Sequence, residues 1–121
     1  MRKLFSYFKN DNTQTYLAGN DAELWQNIAL PTRSEIYQIL REILVNMKKH
    51  SHADQVTVRF IKETDKIEIA YNDNGIGIKN KFFFKNGLQN VVSRIENLNG
   101  DIIFDTETEK GLKINFSFPI S

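Results

Sequence analysis

The sequence predicts an α+β domain in two layers, helices on one face of a single sheet. Three observations carry that prediction. Val56, Val58 and Phe60 alternate with polar neighbours, as do Ile67, Ile69 and Tyr71 after the turn "KETDK". A second pair, "DIIFDT" and "LKINFSFP", repeats the pattern around "ETEKG". Period-two alternation of this kind marks antiparallel hairpins with one buried face. The third observation is helical spacing in the segments between: Ile36, Leu40, Ile43, Leu44 and Met47, then Leu88, Val91, Val92, Ile95 and Leu98. Helices interleaved with antiparallel hairpins bury their stripes best against one shared sheet.

Taken in order, residues 2–9 read as a short helix with Leu4, Phe5 and Phe8 on one side, stopped by "NDN". "TQTYLAGN" reads as a short strand ending in a turn. "AELWQNIALP" is ambiguous between helix and strand; Pro31 ends it, and Thr32 or Ser34 can cap a helix over about residues 34–50. "SHAD" breaks that helix before the first hairpin. "NDNGIGIKNK" is a glycine-containing loop. The next helix begins near Leu88, and Gly100 suits its terminus. There is no repeat, linker or low-complexity segment.

Composition narrows the function classes. A chain of 121 residues is one modest domain, large enough for a core without staples. Its 40% hydrophobic and 26% charged residues exclude a disordered chain. Sixteen Lys and Arg against fifteen Asp and Glu leave a charge of +1, without the basic excess of a nucleic-acid binder. The absence of cysteine excludes disulfides and thiolate metal sites and fits a reducing cytoplasm. No apolar run approaches the ~18 residues of a membrane span. "MRKLFSYFKNDN" is too short in apolar residues for a signal peptide. No direct membrane contact is expected of this domain; a membrane-anchored receptor would carry its anchor elsewhere.

Three stretches carry candidate chemistry. On the first long helix, Glu42, Asn46, Lys49 and His50 fall on one polar stripe beside the apolar one. Spacing alone admits two readings, the wall of a ligand cleft or an ordinary helix flank. In "DNGIGI", Asp73 at a strand end offers a carboxylate to an exocyclic amine, while Gly75 and Gly77 let backbone pass close to a bound group. The same residue types also make plain turns. In "KNGLQN", a glycine before a helix start leaves N–H groups and a positive dipole end open to phosphate, though many helices start so. Between the two glycine loops, Phe82, Phe83 and Phe84 cannot all face one core from a loop. Part of the triplet packs under a lid or stays open to a partner.

The order of the pieces is more specific than any one of them. Glu-x-x-x-Asn-x-x-Lys-His on a helix, a hairpin, Asp-x-Gly-x-Gly, a short lid, Asn-Gly-Leu opening a helix, a hairpin and a further glycine together resemble the GHKL ATPase superfamily. Within it, "NMKKHSHA", "NGLQNVVSRI" and "GLKINFSFPIS" look like the catalytic, ATP-binding domain of a two-component sensor histidine kinase. The wording is similar to the subgroup with the desaturase-regulating and nitrate-sensing kinases, and to Bacteroidetes kinases. The resemblance covers about residues 10–121. It implies the Bergerat fold, a two-layer sandwich with a mixed, mostly antiparallel sheet. It also implies a single catalytic domain over 1–121, with residues 1–12 as a remnant of a preceding linker and "FPIS" as a natural domain end.

The resemblance also implies roles. Asn46 matches the asparagine that coordinates Mg²⁺, and Glu42 would orient the metal's water shell or act as a base. Lys49 and His50 would reach toward the phosphates. Asp73 would bind the adenine amino group, with Gly75 and Gly77 making room. Asn86, Gly87 and Leu88 match the second glycine box, and Gly111 the third. Two residues depart from the pattern: Lys85 stands where another glycine is usual, and Leu112 where threonine is usual. Lys85 would replace a backbone contact by a charge or limit lid closure. Leu112 removes a hydroxyl near the adenine. Arg94 matches the subgroup and is expected to be structural.

The implied activity is transfer of the ATP γ-phosphoryl to a histidine on a helical dimerisation domain, with a response regulator downstream and a cytoplasmic location. The only histidines are His50 and His52, neither in a phosphoacceptor motif, so the acceptor domain is expected outside this chain, and the isolated domain is expected to be a monomer. The phenylalanine lid is the candidate contact to that acceptor domain. Two alternatives stand beside this reading: a stand-alone serine kinase of the anti-sigma-factor type, and a degenerate nucleotide sensor without catalysis.

Overall fold

The computed structural model describes residues 14–19, 22–26, 28–46, 55–75, 88–105 and 111–119. The elements are β1 (Gln14–Ala18), α1 (Ala22–Gln26), α2 (Leu30–Asn46), β2 (Gln55–Lys62), β3 (Lys66–Asp73), α3 (Gln89–Asn97), β4 (Asp101–Asp105) and β5 (Leu112–Pro119). The five strands form one sheet in the order β1-β2-β3-β5-β4. β1 runs parallel to β2, and the other three pairings are antiparallel. The expected two-layer α+β arrangement with a mixed, mostly antiparallel sheet is therefore what the chain adopts. The parallel pair needs a crossover between its strands, and α1 and α2 lie in that stretch of chain.

Both hairpin readings hold. Between β2 and β3 the chain turns over residues 63–65, where the Glu63 N–H donates to the Lys66 carbonyl at 2.9 Å. Val56, Val58 and Phe60 of β2, Ile67, Ile69 and Tyr71 of β3, and Ile114, Phe116 and Phe118 of β5 are all buried. Each faces the helices because alternation of period two puts them on one side. The opposite strand positions, among them Thr57, Arg59, Glu68, Asn72, Lys113 and Asn115, form the polar outer face. Against the inner face lie Ile36, Ile39, Leu40, Ile43 and Leu44 of α2 and Val91 and Ile95 of α3. Burying each such side chain contributes about 1.5–3 kcal/mol, which is the main force holding helices to sheet. α1 resolves the ambiguity of "AELWQ" as helix. Leu24 is buried, and the Trp25 ring meets Phe60 edge-on at 5.5 Å between centroids.

One boundary differs from expectation. α2 starts at Leu30, not near Ser34, so Pro31, Thr32 and Ser34 lie inside it. Proline fits a first helical turn because its missing N–H would have no intrahelical partner there. The Arg33 N–H donates to the Ala29 carbonyl at 2.9 Å, closing that turn without a Thr or Ser cap. Pro31 thus opens a helix and does not close one. α3 ends in a Schellman arrangement: the Asn99 N–H donates to Glu96 and the Gly100 N–H to Ile95, each at 3.0 Å. The left-handed residue is Asn99, at φ 58°, not Gly100. Gly100 is needed for a different reason, since a Cβ there would run into the Ser117 carbonyl of β5 and the Ile95 side chain. The expected helix over 2–9, residues 47–50 of the expected long helix, and the phenylalanine triplet lie outside the described residues.

Candidate functional site

The C-terminal end of β3 meets the start of β5, and the two are in register from Asp73 with Leu112 onward. Asp73 is the one charged residue that is buried among the described residues, with 5% exposure. Strand alternation puts it on the helix-facing side after Ile67, Ile69 and Tyr71, where a lone carboxylate would be costly. Three donors satisfy it. The Tyr71 hydroxyl donates to Oδ2 at 2.6 Å. The backbone N–H groups of Gly75 and Leu112 donate to Oδ1 at 2.9 Å and 3.2 Å. Tyr71 is itself buried, and its hydroxyl is pushed well above the usual phenol value by burial first and by the Asp73 charge and hydrogen bond second. It therefore stays protonated and donates.

The glycines hold this arrangement by conformation and space. Gly111 sits at φ 84°, and a Cβ there would collide with the Asp73 carbonyl. Its N–H donates to the Gly75 carbonyl at 2.7 Å, tying the loop after β3 to the loop before β5. Asn74 closes the neighbouring strand end. Its N–H donates to the Gln55 carbonyl at 3.2 Å, and its side-chain oxygen accepts from the Gln55 N–H at 3.0 Å. Three predicted site residues, Asp73, Gly75 and Gly111, are thus brought into one hydrogen-bonded unit.

A second cluster joins the helices. Arg94 of α3 donates through Nη1 to both carboxylate oxygens of Glu35 on α2, at 3.3 Å and 3.2 Å. Its Nε lies 3.5 Å from Glu42 Oε1, a charge contact without hydrogen-bond geometry. Glu42 Oε2 and Arg94 Nε are buried and have no hydrogen-bond partner among the described residues. A carboxylate oxygen in that state is available to a polar group not provided by these residues. Arg94 thus ties α3 to two carboxylates of α2, a link that spacing could not show because the residues lie on different helices.

Leu88 is buried at the start of α3. Among the described residues no side chain caps that helix, and its first turn carries no acidic residue. Asn46 ends α2 as described. Lys49, His50, Gly77, Lys85, Asn86 and Gly87 lie outside the described residues. Among the described residues no group of three or more His, Cys, Asp or Glu could hold a metal, and no helix is long and apolar enough to cross a membrane. A groove of about 320 Å³ lies on the outer face of the sheet, with Arg59, Asn72, Lys113 and Asn115 in its lining.

Sequence reasoning missed Tyr71 and Glu35. Tyr71 was legible as core only, although a position two before Asp73 on a strand must share its face. Nothing local marked Glu35.

Comparison with known proteins agrees with this geometry. Residues 32–121 match the family described as histidine kinase-, DNA gyrase B- and HSP90-like ATPases. The chain is 29% identical over 105 residues to the sensor histidine kinase ComP of Bacillus subtilis (strain 168), covering 84% of this chain and 14% of that protein. It is 30% identical over 102 residues to the sensor histidine kinase DesK of the same organism, covering 82% of this chain and 27% of that protein. The chain thus spans about a quarter or less of these relatives' length. A histidine kinase domain from the Erythrobacter litoralis EL346 blue-light activated histidine kinase has the same fold, with TM-score 0.80 and 16% identity, over 98% of this chain and 60% of that one. The match over three quarters of the sequence places this chain in the family of histidine kinase-, DNA gyrase B- and HSP90-like ATPases.

Proposed function

We propose that the chain is the ATP-binding catalytic domain of a sensor histidine kinase, of the desaturase-regulator and nitrate-sensor subgroup and of Bacteroidetes type. The observation that carries the reading is the buried Asp73 carboxylate, held by Tyr71, Gly75 and Leu112 with acceptor capacity to spare. It anchors the adenine amine. Gly75, Gly77 and Gly111 give the nucleotide room, and the start of α3, with Lys85, Asn86, Gly87 and Leu88, holds the phosphates. Glu42, kept in place by Arg94, orients the reacting end, and Lys49 and His50 add positive charge or donors there.

Mg²⁺ fits this donor set as an ion held chiefly by nucleotide phosphates, with Asn46 as the protein ligand, since such ions keep few protein contacts. When bound it would neutralise charge on the phosphates. The reaction is transfer of the γ-phosphoryl from ATP to a histidine of a helical dimerisation domain not included in these 121 residues, leaving ADP. A response regulator then accepts the group. We place the domain in the cytoplasm, as a monomer when isolated, with 1–121 acting as one catalytic unit. The Leu112 N–H bond to Asp73 argues against a degenerate site, because that contact needs no particular side chain.

The test is calorimetric binding of a non-hydrolysable ATP analogue, with and without Mg²⁺, to wild type, Asp73→Asn and Asn46→Ala. Binding between about 1 μM and 1 mM, or roughly −8 to −4 kcal/mol, should vanish in Asp73→Asn and lose its Mg²⁺ dependence in Asn46→Ala. A folded wild type that binds nothing would sink the reading.

A further inference from the structure

We propose that the Tyr71 hydroxyl is a positioning group that makes the Asp73 carboxylate select an amine-bearing purine over one with a carbonyl oxygen in the same place. The inference rests on Asp73 being the nucleotide anchor of the preceding section.

The argument is a count of lone pairs. An ionised carboxylate offers about four acceptor directions, two on each oxygen. Oδ1 receives two backbone N–H groups, from Gly75 and Leu112, so the main chain uses both of its directions. Oδ2 receives the Tyr71 hydroxyl at 2.6 Å. Among the described residues these are its donors, which leaves one acceptor direction, on Oδ2. That direction suits the exocyclic amine of adenine. It opposes the carbonyl oxygen that hypoxanthine carries at the same ring carbon.

The hydroxyl matters because it removes the alternatives. The terminal torsion of aspartate is soft, and a carboxylate held at Oδ1 alone can rock about it. A donor on Oδ2 fixes the carboxylate plane, so the remaining lone pair keeps one direction. The hydroxyl cannot turn to serve a carbonyl ligand either, since its carboxylate partner only accepts and the hydroxyl must donate. Tyr71 is rigidly placed for this. It is 1% exposed and sits in the central strand, paired with Val58 of β2 and Ile114 of β5. Without the hydroxyl, Oδ2 has two open directions, and a water on one of them can bridge to a carbonyl oxygen.

The test measures binding of ATP and of inosine triphosphate to the 121-residue chain as wild type and as Tyr71→Phe, by calorimetry. Wild type should prefer ATP by at least about tenfold, because a site built around one donor rejects the analogue lacking it. In Tyr71→Phe, ATP affinity should fall about tenfold while inosine triphosphate affinity stays within about twofold, narrowing the preference. Equal losses for both nucleotides, or an unchanged preference, would make Tyr71 structural only and overturn the inference while leaving the ATP site standing. A wild type that binds neither nucleotide would overturn the site reading and this inference with it.

A second measurement does not depend on the variant folding. In the wild type, proton NMR should show the Tyr71 hydroxyl as a slowly exchanging resonance that shifts when ATP saturates the site. A hydroxyl that exchanges too fast to be seen, or one that ATP leaves unmoved, overturns the inference.

Discussion

Replacing Asp73 tests the anchor and the local fold with one pair of variants, because Asn and Ala disturb its three donors differently. In wild type, Tyr71, Gly75 and Leu112 all donate to one buried charge. In Asp73→Asn the amide oxygen can keep both backbone N–H groups, while the NH₂ group faces the Tyr71 hydroxyl, which must turn to accept. Three charge-assisted bonds become neutral ones, a loss of about 1.5–3 kcal/mol, partly offset because an amide is easier to bury than a carboxylate. A net cost of about 1–2 kcal/mol should lower the thermal midpoint by about 4–8 °C for a domain of this size. In Asp73→Ala the three donors lose their partner outright, and the cost should rise to about 3–5 kcal/mol.

The binding arm is separate. With Asn in place, an adenine amine would meet a second NH₂ group, donor against donor, and ATP affinity should fall about a hundredfold or more. Circular dichroism melts give the first quantity. Calorimetry at 15 °C or so, where the Asn variant is still folded, gives the second. An Ala variant as stable as the Asn variant would refute the three-donor account. A stable Asn variant that binds ATP as wild type does would refute the adenine anchor and leave the fold argument intact.

Four further outcomes are expected. Because Tyr71 titrates above its unfolded value of 10.0, the folded chain keeps a proton that the unfolded chain loses. Its contribution is fully present below pH 10 and is lost as pH rises past it, so denaturant midpoints between pH 8 and 11.5 or so should fall less steeply in Tyr71→Phe than in wild type. Arg94→Ala removes ion pairs whose side chains are about one-third exposed or less, so stability should drop by only about 0.5–1 kcal/mol and less in 1 M salt. Phosphoryl transfer to a supplied acceptor domain should fall more than ATP binding does, and equal losses would free Glu42 from Arg94. Gly111→Ala places a methyl group at φ 84° against the Asp73 carbonyl and should cost at least about 2 kcal/mol and most nucleotide affinity; a wild-type melt would show that the loop relaxes. Leu112→Thr should change ATP affinity by less than about twofold, because position 112 reaches Asp73 through its N–H alone.

The strands were the most legible part of the sequence. Val56, Val58 and Phe60, then Ile67, Ile69 and Tyr71, alternate without a break, and each one is buried. On α2, Ile36, Leu40, Ile43 and Leu44 of the expected stripe are buried too, joined by Ile39, which the spacing did not include, while Met47 lies outside the described residues. The start of α2 was misread because proline acts oppositely inside a helix and in its first turn, and local sequence does not say which turn it occupies. Gly100 does stand at the end of α3, but Asn99 holds the left-handed conformation there; the requirement for glycine comes from β5, remote in sequence. At the site, Asp73, Gly75 and Gly111 were named from motif order and do meet. Tyr71, Glu35 and the Arg94 link to Glu42 were not, because donors to a carboxylate and partners of an arginine are set by tertiary packing across strands and helices.

The contact between residue 112 and Asp73 does not depend on the side chain at position 112. The strand pairing of Asp73 with Leu112 delivers the residue 112 N–H to Oδ1, and any residue except proline would supply it. A threonine there would add a hydroxyl near the same carboxylate. In this chain a hydroxyl already reaches that carboxylate from the other side, out of the core, on Tyr71. The two positions lie on adjacent strands, two residues apart in register, since Tyr71 pairs with Ile114. A hydroxyl supplied from the buried face is better shielded from water than one at the mouth of a loop, and a low local dielectric strengthens its bond to a charge. The apolar Leu112 side chain then packs against the core instead of competing for Oδ2. A threonine hydroxyl at position 112 would find Oδ2 already served by Tyr71, which is why Leu112→Thr is expected to leave ATP affinity nearly unchanged.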